Sequence, residues 1–188
     1  MHYSIQSLRC SSCGAPIEIN QVKCEFCGSR LHITSFRSIP FFTDDMLREQ
    51  ISNNTKNSKD ILDLFSRALC LLKLHVFKQA EDIYRSIITQ NIENDECFFL
   101  LSVALLEGRK PFLHKKNEVD EMTRCIENAI LLKPSGIYYL FYSYLIQDYY
   151  EKKGMRYKEK SDYYKTKSLE LGVSEGDRKI LFIDWEEW

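Results

Sequence analysis

Cys10-Ser11-Ser12-Cys13-Gly14 and Cys24-Glu25-Phe26-Cys27-Gly28 are the two stretches from which the rest of the 188-residue chain is read. In each, two thiols stand two residues apart and a glycine follows at once. Ten residues separate the pairs. Four sulfurs at this spacing fit a closed tetrahedral site for one Zn2+, with no coordination position left for a substrate. The glycines suit tight turns behind the metal, where a residue without Cβ adopts positive φ. A disulfide pair and a redox-active C-x-x-C are the competing chemistries. The tandem occurrence and the lack of a strand–helix pattern after either motif count against both. His32, five residues past Cys27, is either a substitute ligand or a strand residue.

Residues 15–23 alternate apolar and polar and read as a β-hairpin, with Leu31-His32-Ile33 as a third short strand. Residues 8–34 therefore resemble a zinc ribbon, a small module built on rubredoxin-like knuckles. The resemblance sets a first unit at residues 1–35 and implies a structural metal ligated by Cys10, Cys13, Cys24 and Cys27. A fragment of this size buries too little apolar surface to fold unaided, so the metal supplies the missing free energy. On that account, replacing Cys24 and Cys27 by serine is expected to unfold the ribbon and leave the remainder intact. Phe26, between two ligands, is a candidate exposed contact for a partner.

Residues 36–59 read as a linker with a short helix. Phe36-Arg37-Ser38-Ile39-Pro40-Phe41-Phe42 is apolar and expected to be extended around its proline. Part of it is expected to dock against the helical body. Thr43-Asp44-Asp45-Met46 is an N-cap with acids in the first turn, opening a helix to about residue 51. The polar run at residues 52–59 is the candidate boundary.

From residue 60 the fold class is mainly α. Helical periodicity pairs residues 61–72 with 77–88, 96–107 with 119–132, and 137–150 with 159–171. The first and second pairs begin 34 residues apart. Ala80, Tyr84 and Ile87 in a second helix, Ala68 and Ser102 as small residues in first helices, and the ending Ala129-Ile130-Leu131-Leu132-Lys133-Pro134 resemble tetratricopeptide repeats. The resemblance implies a TPR-like array of about three α-hairpins over residues 60–174. Tyr142 falls at the small-residue site of the third unit, and the second and third units carry extra residues between their helices.

Two apolar stripes on each first helix imply two packing partners. Phe65, Leu69, Phe99, Val103 and Tyr139 are candidates for an inner groove, where a partner segment docks or the chain's own linker or tail packs. The tail, residues 175–188, carries Trp185 and Trp188 among acids. It is either a strap over the last repeat or an aromatic anchor for another protein. Nine of the eleven tyrosines lie between Tyr138 and Tyr164. Interleaved with lysines they suggest single-stranded nucleic acid, but their helical spacing fits hairpin packing.

The chain carries a formal net charge of −1 and is 44% hydrophobic, so no overall field favours nucleic acid or a membrane surface. No apolar run reaches the length of a transmembrane span, and the first residues do not read as a signal peptide. Beyond the four ligands, Cys70, Cys97 and Cys125 sit in helical patterns and fit buried thiols of a reducing, cytoplasmic compartment. No phosphate-binding, dinucleotide-binding or nucleophile-elbow motif is present. His75 and His114 have no sequence neighbours that make a triad. The expectation is a non-enzymatic adaptor that joins protein partners through the ribbon and the array. The alternative is a nucleic-acid-binding accessory protein, with Arg9, Lys23, Arg30 and Arg37 on phosphates.

Overall fold

The structure, a computed structural model, describes residues 8–10, 12–18, 21–53, 60–173 and 177. Most of the candidate boundary at residues 52–59, and the tail with Trp185 and Trp188, lie outside the described residues. The protein is mainly helical. The short strands β1 (Leu8–Arg9) and β2 (Pro16–Ile17) precede seven α-helices among the described residues: α1 (Asp44–Asn53), α2 (Ile61–Lys73), α3 (Phe77–Gln90), α4 (Asp95–Leu106), α5 (Lys116–Leu132), α6 (Gly136–Leu145) and α7 (Lys158–Leu171).

Capping fixes where the helices start. Thr43 Oγ1 accepts the Met46 N–H at the head of α1, Asp60 the Leu62 N–H before α2, and Asn94 the Cys97 N–H before α4. From α2 to α7 each helix packs chiefly on its neighbours in sequence, and α1 packs on α2. A short turn joins α2 to α3, and longer connections join α4 to α5 and α6 to α7, each pair packing as a hairpin. α4 is buried on every face, as a helix that is apolar all round must be.

Small residues set the hairpin contacts. Ser102 donates to the Met122 carbonyl at 2.9 Å across α4 and α5, and Ser143 donates to the Ser161 carbonyl at 3.1 Å across α6 and α7. The small residue of the third hairpin is therefore Ser143, and Tyr142 is displaced from that role by one position. Tyr142 instead stacks on Tyr164 of α7 at 4.4 Å between ring centroids. Tyr139 also lies against Tyr164, at 5.9 Å, so it faces α7 rather than a groove. Tyr138 and Phe141 take the place expected of it, meeting Phe99 of α4 at 4.6 and 5.8 Å. Beyond α6 the helix widens into a π-helical stretch, Ile146–Glu151. The extra residues of the second and third hairpins meet there: the Phe112 N–H donates to buried Asp148 at 2.8 Å, and Lys152 pairs with the same carboxylate.

The segment expected to be extended is a 3-10 helix, Phe36–Phe41. Ser35 caps it by accepting the Arg37 N–H, and Pro40 supplies the fixed φ. A 3-10 helix has three residues per turn, so Phe36, Ile39 and Phe42 fall on one face, and all three are buried. They join the core of the hairpins, with Phe36 at 5.5 Å from Phe99.

Candidate metal centre

The cysteine motifs build two copies of one knuckle, offset by 14 residues. In the first, the Gly14 N–H donates to the Cys10 carbonyl at 2.8 Å and the Cys10 N–H to the Ala15 carbonyl at 2.9 Å. In the second, Gly28 donates to Cys24 and Cys24 to Ser29 at the same distances. Outside each turn the chain closes on itself: Arg9 pairs with Pro16, and Lys23 with Arg30. Among the described residues the strand pairing runs across each knuckle rather than within residues 15–23, of which 19 and 20 lie outside the described residues, and Leu31-His32-Ile33 is not in a strand. Both glycines adopt left-handed φ, +73° and +71°, which a side chain at that place would strain. The duplication was legible beforehand, since Leu8-Arg9-Cys10 and Val22-Lys23-Cys24 align without a gap up to the two glycines.

The knuckles face each other and bring four sulfurs together. Cys10 Sγ lies 3.8 Å from Cys27 Sγ, and Cys13 Sγ lies 3.6 Å from Cys24 Sγ. All four are within 4.8 Å of one another. Zinc–sulfur bonds of about 2.3 Å in a tetrahedron put the sulfurs about 3.8 Å apart, so the cluster already has the dimensions of a four-thiolate site. The four cysteines are positioned to hold a metal ion. Cys10 and Cys24 are buried against Leu31, Ala15 and Ile17, while Cys13 and Cys27 face solvent.

The thiols do not behave as four independent groups. Cys27 is brought down to about 6, first by the Ser29 hydroxyl 3.1 Å away and then by the Ser29 backbone N–H. Cys13 moves the other way, to about 12: the Ala15 N–H favours its charge, but competition from Cys27, burial and the remaining sulfurs outweighs it. Crowded sulfurs cannot all carry charge without a cation among them, and a divalent ion removes that conflict.

The cysteine cluster is fastened to the helices. Gln50 of α1 donates to the Leu31 carbonyl at 3.0 Å, and the Ile33 N–H donates to Ser66 Oγ of α2 at 3.0 Å, both buried. His32 Nδ1 lies 3.3 Å from Asp63 Oδ1, so His32 faces α2 rather than the sulfurs. Ile33 itself belongs to the hairpin core. Contacts therefore run across the boundary read at residues 35 and 36.

Of the candidate partner contacts, Phe26 is 71% exposed at the tip of the second knuckle. Phe65, Leu69, Phe99 and Val103 are buried, and the groove they were expected to offer is filled by the chain itself. Residues 36–42 supply part of that filling. Several of the interleaved tyrosines join the second and third hairpins, Tyr138 donating to Asp95, Tyr142 to Glu127 and Tyr150 to Asp120, while Tyr157 and Tyr163 are exposed. Burial, with Asp120 beside it, pushes Tyr150 up to about 12. Cys70, Cys97 and Cys125 are buried thiols, and burial pushes Cys70 to about 12 and Cys125 to about 11. His114 is buried between two acceptors, the Glu118 carboxylate at 3.1 Å and the Leu106 carbonyl at 3.0 Å, and ties the end of α4 to the start of α5. No model of a protein family matches the chain, and no curated protein matches it in sequence. Among the described residues no helix is long and apolar enough to cross a membrane.

Proposed function

We propose that the chain is a non-enzymatic adaptor: a zinc-ribbon head with one structural Zn2+ on Cys10, Cys13, Cys24 and Cys27, built onto three TPR-like hairpins, α2–α3, α4–α5 and α6–α7. The observation that carries this is the sulfur cluster. Four protein thiolates complete a tetrahedron, so the ion's work is to hold two knuckles together rather than to activate a ligand. What the metal then holds outward is Phe26, an aromatic ring with little to cover it. Exposed aromatics on a rigid support are the usual anchors of protein interfaces. The 34-residue spacing of the first two hairpins, and the serine-mediated close contacts within the second and third, support a repeat scaffold.

Elemental analysis of the purified chain tests the metal: one zinc per chain is expected, and material with none overturns the reading. Capture from the native cell with wild-type and Phe26→Ala chains tests the head. The reading expects a partner that binds the purified wild type directly and is lost with Phe26→Ala. Indistinguishable partner sets exclude Phe26 as the contact.

A further inference from the structure

The 3-10 segment, Phe36–Phe41, sits in the hairpin array as a ligand sits in a site. It enters from outside the array, ahead of α1 and of residues 54–59. Among the described residues, no backbone-to-backbone hydrogen bond joins residues 34–43 to α2–α7. Its hold is by side chains. Phe36 packs on Phe99 of α4, Ile39 and Phe42 are buried in the same cluster, and the segment touches α2. The Phe36 N–H donates to Glu96 Oε1 at 3.0 Å, a backbone-to-carboxylate contact that any chain in this conformation can make. Arg37 lies over the Phe36 ring at 4.9 Å and donates to Asp177 at 2.8 Å, so residue 177 closes the edge of the site. Glu96 is half-buried beneath the segment, and that burial holds its carboxyl above its ordinary range.

We propose that the groove between α2 and α4 is a binding site for a partner segment of the pattern Phe-x-x-Ile-x-x-Phe with a basic residue after the first aromatic, and that residues 36–42 occupy it as an internal competitor. The occupant defines the partner's chemistry. Three apolar side chains at three-residue spacing fill the groove, one N–H meets Glu96, and one cation meets Asp177. Tethering gives the internal segment an effective concentration on the order of 1 mM, so a segment whose own Kd for the groove is ~10 μM weakens any partner about a hundredfold until it is released. The inference rests on reading the array as a binding scaffold.

The test uses a fluorescent peptide of residues 34–43 and the full metal-loaded chain. The Phe36→Ser/Ile39→Ser chain is expected to bind it at least about tenfold tighter than wild type. Adding Glu96→Ala, which removes the acceptor of the Phe36 N–H, should reduce that gain. A folded double variant that binds no tighter than wild type overturns the proposal. If that variant loses its helices, hydrogen exchange of the wild type decides. Amides of residues 36–42 that open before those of α4 support a separable segment, and exchange only together with α4 overturns it. Failure here leaves the metal head and Phe26 untouched. Peptide binding without any cellular capture would instead overturn the adaptor reading alone.

Discussion

Replacing Ser66 by alanine should show that the metal centre and the helices fold as one unit. Ser66 is fully buried in α2, and its Oγ accepts the Ile33 N–H at 3.0 Å, six residues after the last cysteine of the cluster. Alanine removes the acceptor and leaves that N–H in an apolar surrounding. An orphaned buried donor costs about 1–3 kcal/mol, so about 2 kcal/mol is expected, with a fall in melting temperature of about 4–8 °C for a chain of this length. The informative comparison is with metal removed. If chelation frees residues 31–34 from α2, the Ile33 N–H reaches water in both proteins, and the substitution should cost less than about 0.5 kcal/mol. The difference between the two conditions is the coupling between metal and Ser66. Urea titrations followed by far-ultraviolet circular dichroism, with and without chelator, measure all four corners of the cycle. An equal loss in both conditions would mean that α2 holds Ile33 whether or not the sulfurs are bridged. A loss below about 0.5 kcal/mol in both would mean that the buried hydrogen bond contributes nothing.

Three further outcomes rest on single groups. Tyr84 is fully buried and its hydroxyl has no hydrogen-bond partner among the described residues, so Tyr84→Phe should stabilise the chain by about 1–2 kcal/mol. A lower urea midpoint for that variant would refute the prediction. Glu118 is held below its ordinary value of 4.5, first by the Lys115 backbone N–H and then by His114. Its folded value being depressed, its contribution is complete above about pH 4.5 and lost as pH falls through the lowered folded value. Glu118→Gln should flatten the acid limb of stability against pH, and an unchanged slope would refute this. Phe26→Ala should leave bound zinc unchanged and the unfolding free energy within about 0.5 kcal/mol of wild type, because the ring is exposed. Loss of zinc in that variant would show the ring to be part of the fold.

Local sequence was enough to place the four sulfurs and the helices. Ligand spacing and the glycines after each pair act over short range, since each knuckle is closed by hydrogen bonds spanning five residues, Cys10 to Ala15 and Cys24 to Ser29. Helix starts at Thr43, Asp60 and Asn94 are likewise decided by a side chain and an N–H two or three residues on. Packing in three dimensions decided what those elements touch. The turn of residue 142 against 143 depends on which face of α6 meets α7, and Tyr and Ser at adjacent positions leave the periodicity one residue uncertain. Residues 36–42 read as extended because proline disfavours a regular helix; only the apolar groove beside Phe99 rewards the three-residue spacing that makes a 3-10 turn of them. The union of metal centre and helices was equally out of reach. It rests on Leu31 with Gln50 and Ile33 with Ser66, contacts between residues 19 and 33 positions apart, which no local pattern encodes.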